Sequence, residues 1–365
     1  MKKTIKLFMI ALIPVSAMLI YISSLRPDLV EKMYTKNFFM KVSPAFSSAS
    51  GIFPFSAAEI IVIILIMIVI YYFITTIIKI IKNKSGKLGI LIKFIINMLA
   101  SLGVIYFGFL ILWGFNYHRL PFSDIASLDV SPASVDELYE VCEDLVYRAN
   151  RLRIYVREDK NGCMYIPGGF KSVSSRAYLG YMNASKIYPE LRGNYGRPKP
   201  VIFSKIMSYE GISGVYFPFT AEANVNISQP DSMLPSAACH EMAHQRGFAR
   251  EDEANYISYF ACSLNPDLDF QYSGTLLALI HSMNALHAHD TARYKLLSSK
   301  YSDAVKRDMS QNDEYWRQYE GTIEKISSNI NDAYLKSNMQ KDGVYSYGRM
   351  VDLIIAEYRK NGGND

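Results

Sequence analysis

Hydrophobic positions fall into two regimes along this chain. Before residue 118 they form three long runs, over residues 5–22, 57–81 and 89–115, interrupted chiefly by Glu59, Lys79, Lys93 and Asn97. A helix in a soluble core shows polar positions every third or fourth residue, and these runs do not. The second and third exceed the ~20 residues needed to cross ~30 Å of hydrocarbon, and the first nearly reaches it. They predict three α-helical transmembrane spans and a membrane domain over residues 1–117. Met1-Lys2-Lys3-Thr4 gives the first run the basic start of a signal peptide. Its length and the poor cleavage signal at Ser23-Ser24-Leu25 favour an uncleaved span.

Beyond residue 118 the pattern becomes amphipathic. Residues 118–134, with Pro121 and Ser131-Pro132, read as a linker. Ser134 caps a helix running from Val135 through Leu152, with Asp136 and Glu137 at its positive end. Turns at Asn161-Gly162 and Pro167-Gly168-Gly169 precede a second amphipathic helix over residues 174–187. Val201-Ile202-Phe203-Ser204 reads as a short strand, and residues 214–227 as a second strand or a hairpin. Asp231-Ser232 and Pro235 signal a helix start. Another helix covers residues 250–263, with Tyr256, Tyr259 and Phe260 toward the core. Helical patterns at 276–289 and 295–360 are followed by a frayed tail from residue 361. The prediction for residues 118–365 is a mainly α, α+β domain with a small sheet.

Charge adds an orientation. The net charge of +5 over 365 residues is mild, and no basic stripe interleaved with aromatics argues for nucleic acid. Lys2, Lys3 and Lys6 begin the first span, and Lys79, Lys82, Lys84 and Lys87 cluster between the second and third. Lysine-rich short loops stay in the cytoplasm, so the N-terminus and that loop are placed inside. Residues 25–56, with Arg26, Lys32, Lys36 and Lys41, make the contrast modest. Everything after the third span is then extracytoplasmic, and Trp113, Phe115 and Tyr117 fit an outer aromatic belt. The four cysteines all lie in that exterior part, which permits disulfides without requiring them. Cys239 and Cys262 are the pair whose helices would be neighbours; Cys239 itself reads as a small buried residue.

The chemistry concentrates at Cys239-His240-Glu241-Met242-Ala243-His244-Gln245-Arg246-Gly247-Phe248. Helical positions i and i+4 share a face, so His240 and His244 can reach one metal ion. A bare H-E-x-x-H arises by chance in roughly one such chain in two hundred, so context decides. On an unbroken helix Glu251 would lie about 10 Å beyond His244, too far to share a metal. Gly247 resolves this, because glycine past a helix end takes a left-handed conformation cheaply and reverses the chain. Zinc suits two imidazoles and a carboxylate with one position left for water, and Glu241 is the base placed to take a proton.

The segment resembles the zincin metallopeptidases. H-E-x-x-H-x-x-G is similar to the metzincin start, with Arg250 where that family has its third histidine. Glu251-Asp252-Glu253-Ala254-Asn255 is similar to the third-ligand segment of gluzincins, although the gap is shorter. The resemblance implies a zincin-like fold, Zn2+ as cofactor, Glu251 as third ligand and Asn255 as the residue that supports a zinc histidine. Glu253 competes with Glu251 for the ligand place. The resemblance also implies an edge strand upstream that holds an extended peptide by its backbone, with Pro218 limiting it. A later His or Tyr would stabilise the oxyanion, and His281, His287 and Tyr272 are the candidates.

The apolar runs, Trp113-Gly-Phe-Asn-Tyr-His-Arg119 and the stretch from His240 to Asn255 together resemble a bacterial membrane family, domain of unknown function 3810. That implies a membrane-embedded chain carrying the peptidase motif. The function expected is a membrane-anchored zinc metallopeptidase that acts on a peptide or protein substrate at the membrane exterior. The alternative is a non-enzymatic, zinc-stabilised membrane receptor or assembly factor, which would gain nothing from Glu241. Intramembrane proteolysis is excluded because the motif lies in a polar setting far beyond the last span.

Overall fold

A computed structural model describes residues 3–83, 85–338 and 349–362. Lys2 and Lys84 of the basic clusters, part of the expected 295–360 helical region and the end of the expected tail lie outside these residues.

The apolar runs form α1 (Lys3–Ser24) and, after an intervening segment, two further long helices. That segment holds α2 (Pro27–Leu29), a π-helical stretch at Val30–Phe39 and α3 (Met40–Ser50). α4 (Ala57–Lys82) and α5 (Lys87–Leu112) follow, and with α1 they are long and apolar enough to cross a membrane. Their side chains are mostly exposed, as hydrocarbon-facing residues are. Ser56 caps α4 by accepting from the Glu59 amide at 3.0 Å.

The segment between the first two spans departs from the picture of a basic loop. It is helical and lies against the part of the chain that follows α5. Arg119 pairs with Glu31, Thr35 donates to Asn116 Oδ1 at 3.2 Å, and Ser43 donates to the Gln245 carbonyl at 3.0 Å.

The expected linker is also partly ordered, because α6 (Phe122–Ala126) buries Phe122 completely. α7 (Val135–Arg153) starts where expected. Ser134 Oγ accepts from the Glu137 amide while the Glu137 carboxylate accepts from the Ser134 amide, a reciprocal cap. α8 (Gly169–Ile187) begins before residue 174, directly at the glycine turn. The first strand is β1 (Lys199–Pro200), not residues 201–204. The amides of Ile202 and Phe203 donate to the Glu59 carboxylate, at 3.0 and 2.8 Å, instead of to a sheet neighbour. The chain then enters α9 (Ser204–Tyr209).

Residues 214–227 do form a hairpin, β2 (Gly214–Phe217) and β3 (Glu222–Val225), in antiparallel register with Val215 opposite Asn224. β1 joins β3 in parallel, so the order is β1-β3-β2 and β2 is an edge. Pro218 falls just past β2, where it costs no ladder bond.

The remaining elements are α10 (Leu234–Gln245), α11 (Glu251–Ser263), α12 (Leu268–His289), α13 (Thr291–Ser299), α14 (Asp303–Arg317), α15 (Thr322–Ser337) and α16 (Met350–Lys360). α10 sits between the hairpin on one side and α11 and α12 on the other, with α7, α8 and α16 closing the core. Ala238 and Ala243 are fully buried, and their small side chains let α10 approach its neighbours closely. Tyr256, Tyr259 and Phe260 all point into the core, as expected.

Candidate metal centre

The site is built around the end of α10. Gly247 has φ +81°, its amide donates to the His244 carbonyl at 2.9 Å, and the Phe248 amide donates to the Ala243 carbonyl at 3.3 Å. These two bonds and the left-handed glycine form a Schellman stop. The chain reverses, and α11 begins at Glu251 with its carboxylate turned back to α10. His240 Nε2 lies 3.2 Å and His244 Nε2 3.6 Å from Glu251 Oε2. One donor atom from each of the three residues falls within 4.8 Å of the others.

The ring orientations suit coordination. His244 Nδ1 is 2.7 Å from the Phe248 carbonyl. A carbonyl only accepts, so Nδ1 carries a hydrogen and Nε2 faces the cluster. The His240 and His244 rings stand 4.7 Å apart at 88°, edge to face rather than stacked. The donor set is two imidazoles and a carboxylate on a converging geometry, which fits a zinc ion.

Electrostatics divide the two glutamates. Burial opposes ionisation of Glu251, but the His244 and His240 imidazoles outweigh it and hold the carboxyl far below the usual range. Burial would likewise keep His244 neutral, yet Glu251 raises it to about 9. Burial pushes Glu241 up to about 7, against the pull of the two imidazoles and with added repulsion from Glu251. Its Oε2 is buried and has no hydrogen-bond partner among the described residues. A Cβ placed on Gly214 would collide with its carboxylate. The first residue of the edge strand therefore has to lack a side chain for Glu241 to sit there.

The other expected residues separate cleanly. Glu253 faces away: its Oε1 accepts from the Phe122 amide and from Arg250 Nη1, both at 2.8 Å. Asn255 is buried one turn beyond Glu251 on α11. The partner of His244 Nδ1, however, is the Phe248 carbonyl rather than a side chain. Tyr272 donates to Asp308 at 2.7 Å in a buried group with Arg153, and this ties its hydroxyl up elsewhere. His287 packs against Tyr294 at 4.6 Å, and His289 is exposed. His281 is the histidine that stays near: burial, helped by the His240 charge, lowers it to about 4, so it is neutral.

Several neighbours of the site were not legible in the sequence. Trp113 and Tyr117, expected in an interfacial belt, are buried. The short 3-10 turn at Gly114–His118 rotates them inward. Trp113 Nε1 donates to the His244 carbonyl at 3.3 Å, and its ring meets the His244 imidazole edge-on at 5.6 Å. Tyr117 donates to the Tyr334 hydroxyl at 2.9 Å. Burial raises Tyr334 well above its ordinary value, partly offset by that bond and reinforced by the Glu251 charge. Nothing near residue 334 in sequence marks it for the site. Its only signal is an aromatic on the helical face of α15.

All four cysteines are buried free thiols, so the Cys239–Cys262 pairing is not formed. The two lie close enough across α10 and α11 for Cys239 to accept from or donate to the Cys262 thiol.

Over residues 34–355 the chain matches the family described as "Protein of unknown function (DUF3810)", and it belongs to that family. No curated protein and no solved structure matches it.

Proposed function

We propose that this DUF3810 member is a membrane-anchored, zinc-dependent metallopeptidase of zincin-like, gluzincin-like architecture. His240, His244 and Glu251 would hold Zn2+, and Glu241 would be the general base. The observation that carries the reading is the contrast between the two buried glutamates. Glu251 is drawn into the imidazole pair. Glu241 lies alongside with a buried oxygen that no described residue satisfies. A purely structural centre has no need of such a carboxyl.

Zinc at this site would supply Lewis-acid polarisation of a carbonyl and a lowered pKa for water. Glu241, poised near neutrality by burial, can accept a proton and return it to a leaving amine. Tyr334 accepts from Tyr117 and keeps its own O–H to donate toward negative charge on a substrate oxygen. The free side of β2, which starts at Gly214 against Glu241, offers backbone donors and acceptors to an extended peptide. With the lysine-rich loop between α4 and α5 placed inside, this site faces the exterior of the cell membrane.

The deciding experiment compares wild type with Glu241→Gln on a peptide library, alongside metal analysis. The variant should keep one zinc per chain and lose hydrolysis by at least about a hundredfold. Hydrolysis retained by the variant would remove Glu241 as base. Zinc bound by a wild type that cleaves nothing would favour a zinc-stabilised receptor or assembly factor.

A further inference from the structure

A cavity of about 470 Å³ opens between α8 and residues 191–198. None of His240, Glu241, His244 or Glu251 lines it, so it is separate from the metal centre. Its wall contains three arginines, Arg192, Arg197 and Arg246, and no aspartate or glutamate.

Arg246 is the informative one, because it is 3% exposed. Its guanidinium lies 3.8 Å from the Tyr181 ring and 4.6 Å from the Tyr195 ring. It donates to the carbonyls of Leu191 at 2.7 Å and Met242 at 2.8 Å. Those contacts hold the group in place without neutralising it. Arg119 and Arg153, equally buried, pair with Glu31 and Asp308. Arg246 has no described carboxylate within ion-pair distance. An unpaired buried charge is costly, and a guanidinium cannot shed its proton to escape. The hydroxyl of Tyr195, in the same wall, is also buried with no hydrogen-bond partner among the described residues.

We propose that this cavity binds a phosphate group, either free or carried by a lipid headgroup. Three guanidinium groups exceed what a single carboxylate would balance. A phosphate brings up to about two negative charges and several acceptor oxygens to planar donor forks. The Tyr195 hydroxyl is a further, neutral donor. A lipid source is within reach, because the wall of the cavity stands on the segment that leads into α4. The Gly196 amide donates to Ser47 Oγ at 2.9 Å, and Ser48 Oγ donates to the Asn194 carbonyl at 3.5 Å.

Inorganic phosphate is titrated calorimetrically into the full-length protein in detergent. The comparison is the double variant Arg192→Gln/Arg197→Gln, whose side chains are exposed at the rim, with sodium acetate as the control anion. Wild type should bind one phosphate saturably, the double variant at least about tenfold more weakly, and acetate not measurably. Repeating the titration in nanodiscs containing phosphatidylglycerol separates the sources. Loss of phosphate binding there identifies the lipid headgroup as occupant, and unchanged binding identifies soluble phosphate. The proposal is overturned if phosphate fails to saturate, if the double variant binds it as well as wild type, or if acetate binds equally tightly.

Discussion

Glu31 and Arg119 meet in a two-pronged ion pair, Nε to Oε2 at 2.9 Å and Nη2 to Oε1 at 3.0 Å, with both side chains buried. Glu31 lies between the first two apolar helices and Arg119 follows the third. Arg119 also donates to the Arg246 carbonyl at 3.3 Å and lies 4.1 Å over the Phe248 ring. The pair therefore fastens the segment between the first two apolar helices to the turn that joins His244 to Glu251. Glu31→Ala would leave a buried guanidinium without its main partner, which costs about 3–5 kcal/mol. Thermal unfolding of the variant in detergent should show a clearly lower midpoint. An unchanged midpoint would mean that this pair does not hold the two parts together.

The metal-free protein should lose stability as pH rises from 6.5 to 9. His244 has an ordinary value of 6.5 and a folded value of about 9. The stability it contributes is complete below 6.5 and gone above 9. Glu241 acts in the same direction earlier, since its folded form keeps a proton between 4.5 and about 7. Glu251 acts oppositely, through stability present above 4.5 and lost on acidification. Zinc binding must displace the His244 proton, so excess zinc should flatten the alkaline loss. Denaturant midpoints across that range, with chelator and with zinc, make the check. A flat metal-free profile would contradict it.

Gly247→Ala should destabilise more than Gly211→Ala. Both glycines have left-handed φ, +81° and +72°. A Cβ on Gly247 would come within 2.9 Å of the Phe39 ring and 3.0 Å of Asn116 Oδ1. At Gly211 the nearest atom is Glu324 Cγ at 3.5 Å. Backbone strain alone is expected to cost about 1 kcal/mol, with crowding adding roughly 1–3 at Gly247. Equal losses in a denaturant series would show that the turn, not the packing against Phe39, sets the cost.

Metal analysis of the purified full chain should distinguish Glu251 from Glu253. Glu251→Ala and His240→Ala should each abolish stoichiometric zinc. Glu253→Ala should lower stability by about 1–3 kcal/mol, because it strands the buried Phe122 amide, yet retain the metal. Zinc lost from Glu253→Ala at full folding would reverse the assignment.

The membrane-like helices were readable to within a few residues because a lipid-facing run needs no partner to declare itself. The motif was readable for a related reason. Spacing of i and i+4 places the imidazoles, and one glycine reverses the chain, all within a dozen residues. The expected strand at 201–204 failed because its amides went to Glu59, a residue far upstream at the start of an apolar run. Trp113 and Tyr117 were misread for the same kind of reason. A belt residue and a residue packed on His244 have the same composition and differ only in which way a short turn points them.

Patterning was thus enough to define three apolar helices, a helix pair broken at Gly247 and the shared face of His240 and His244, while only the fold separated Glu251, which meets the imidazoles, from Glu253, which does not. These rest on local periodicity and backbone preference, which each stretch carries unaided. Other features came from folding alone: Glu31 on Arg119, Tyr334 beside Glu251, Gly214 making room for Glu241, and the unbalanced charge of Arg246. Each of those depends on side chains far apart along the chain being brought together by the fold. There desolvation and packing, not sequence neighbours, determine which groups must find partners.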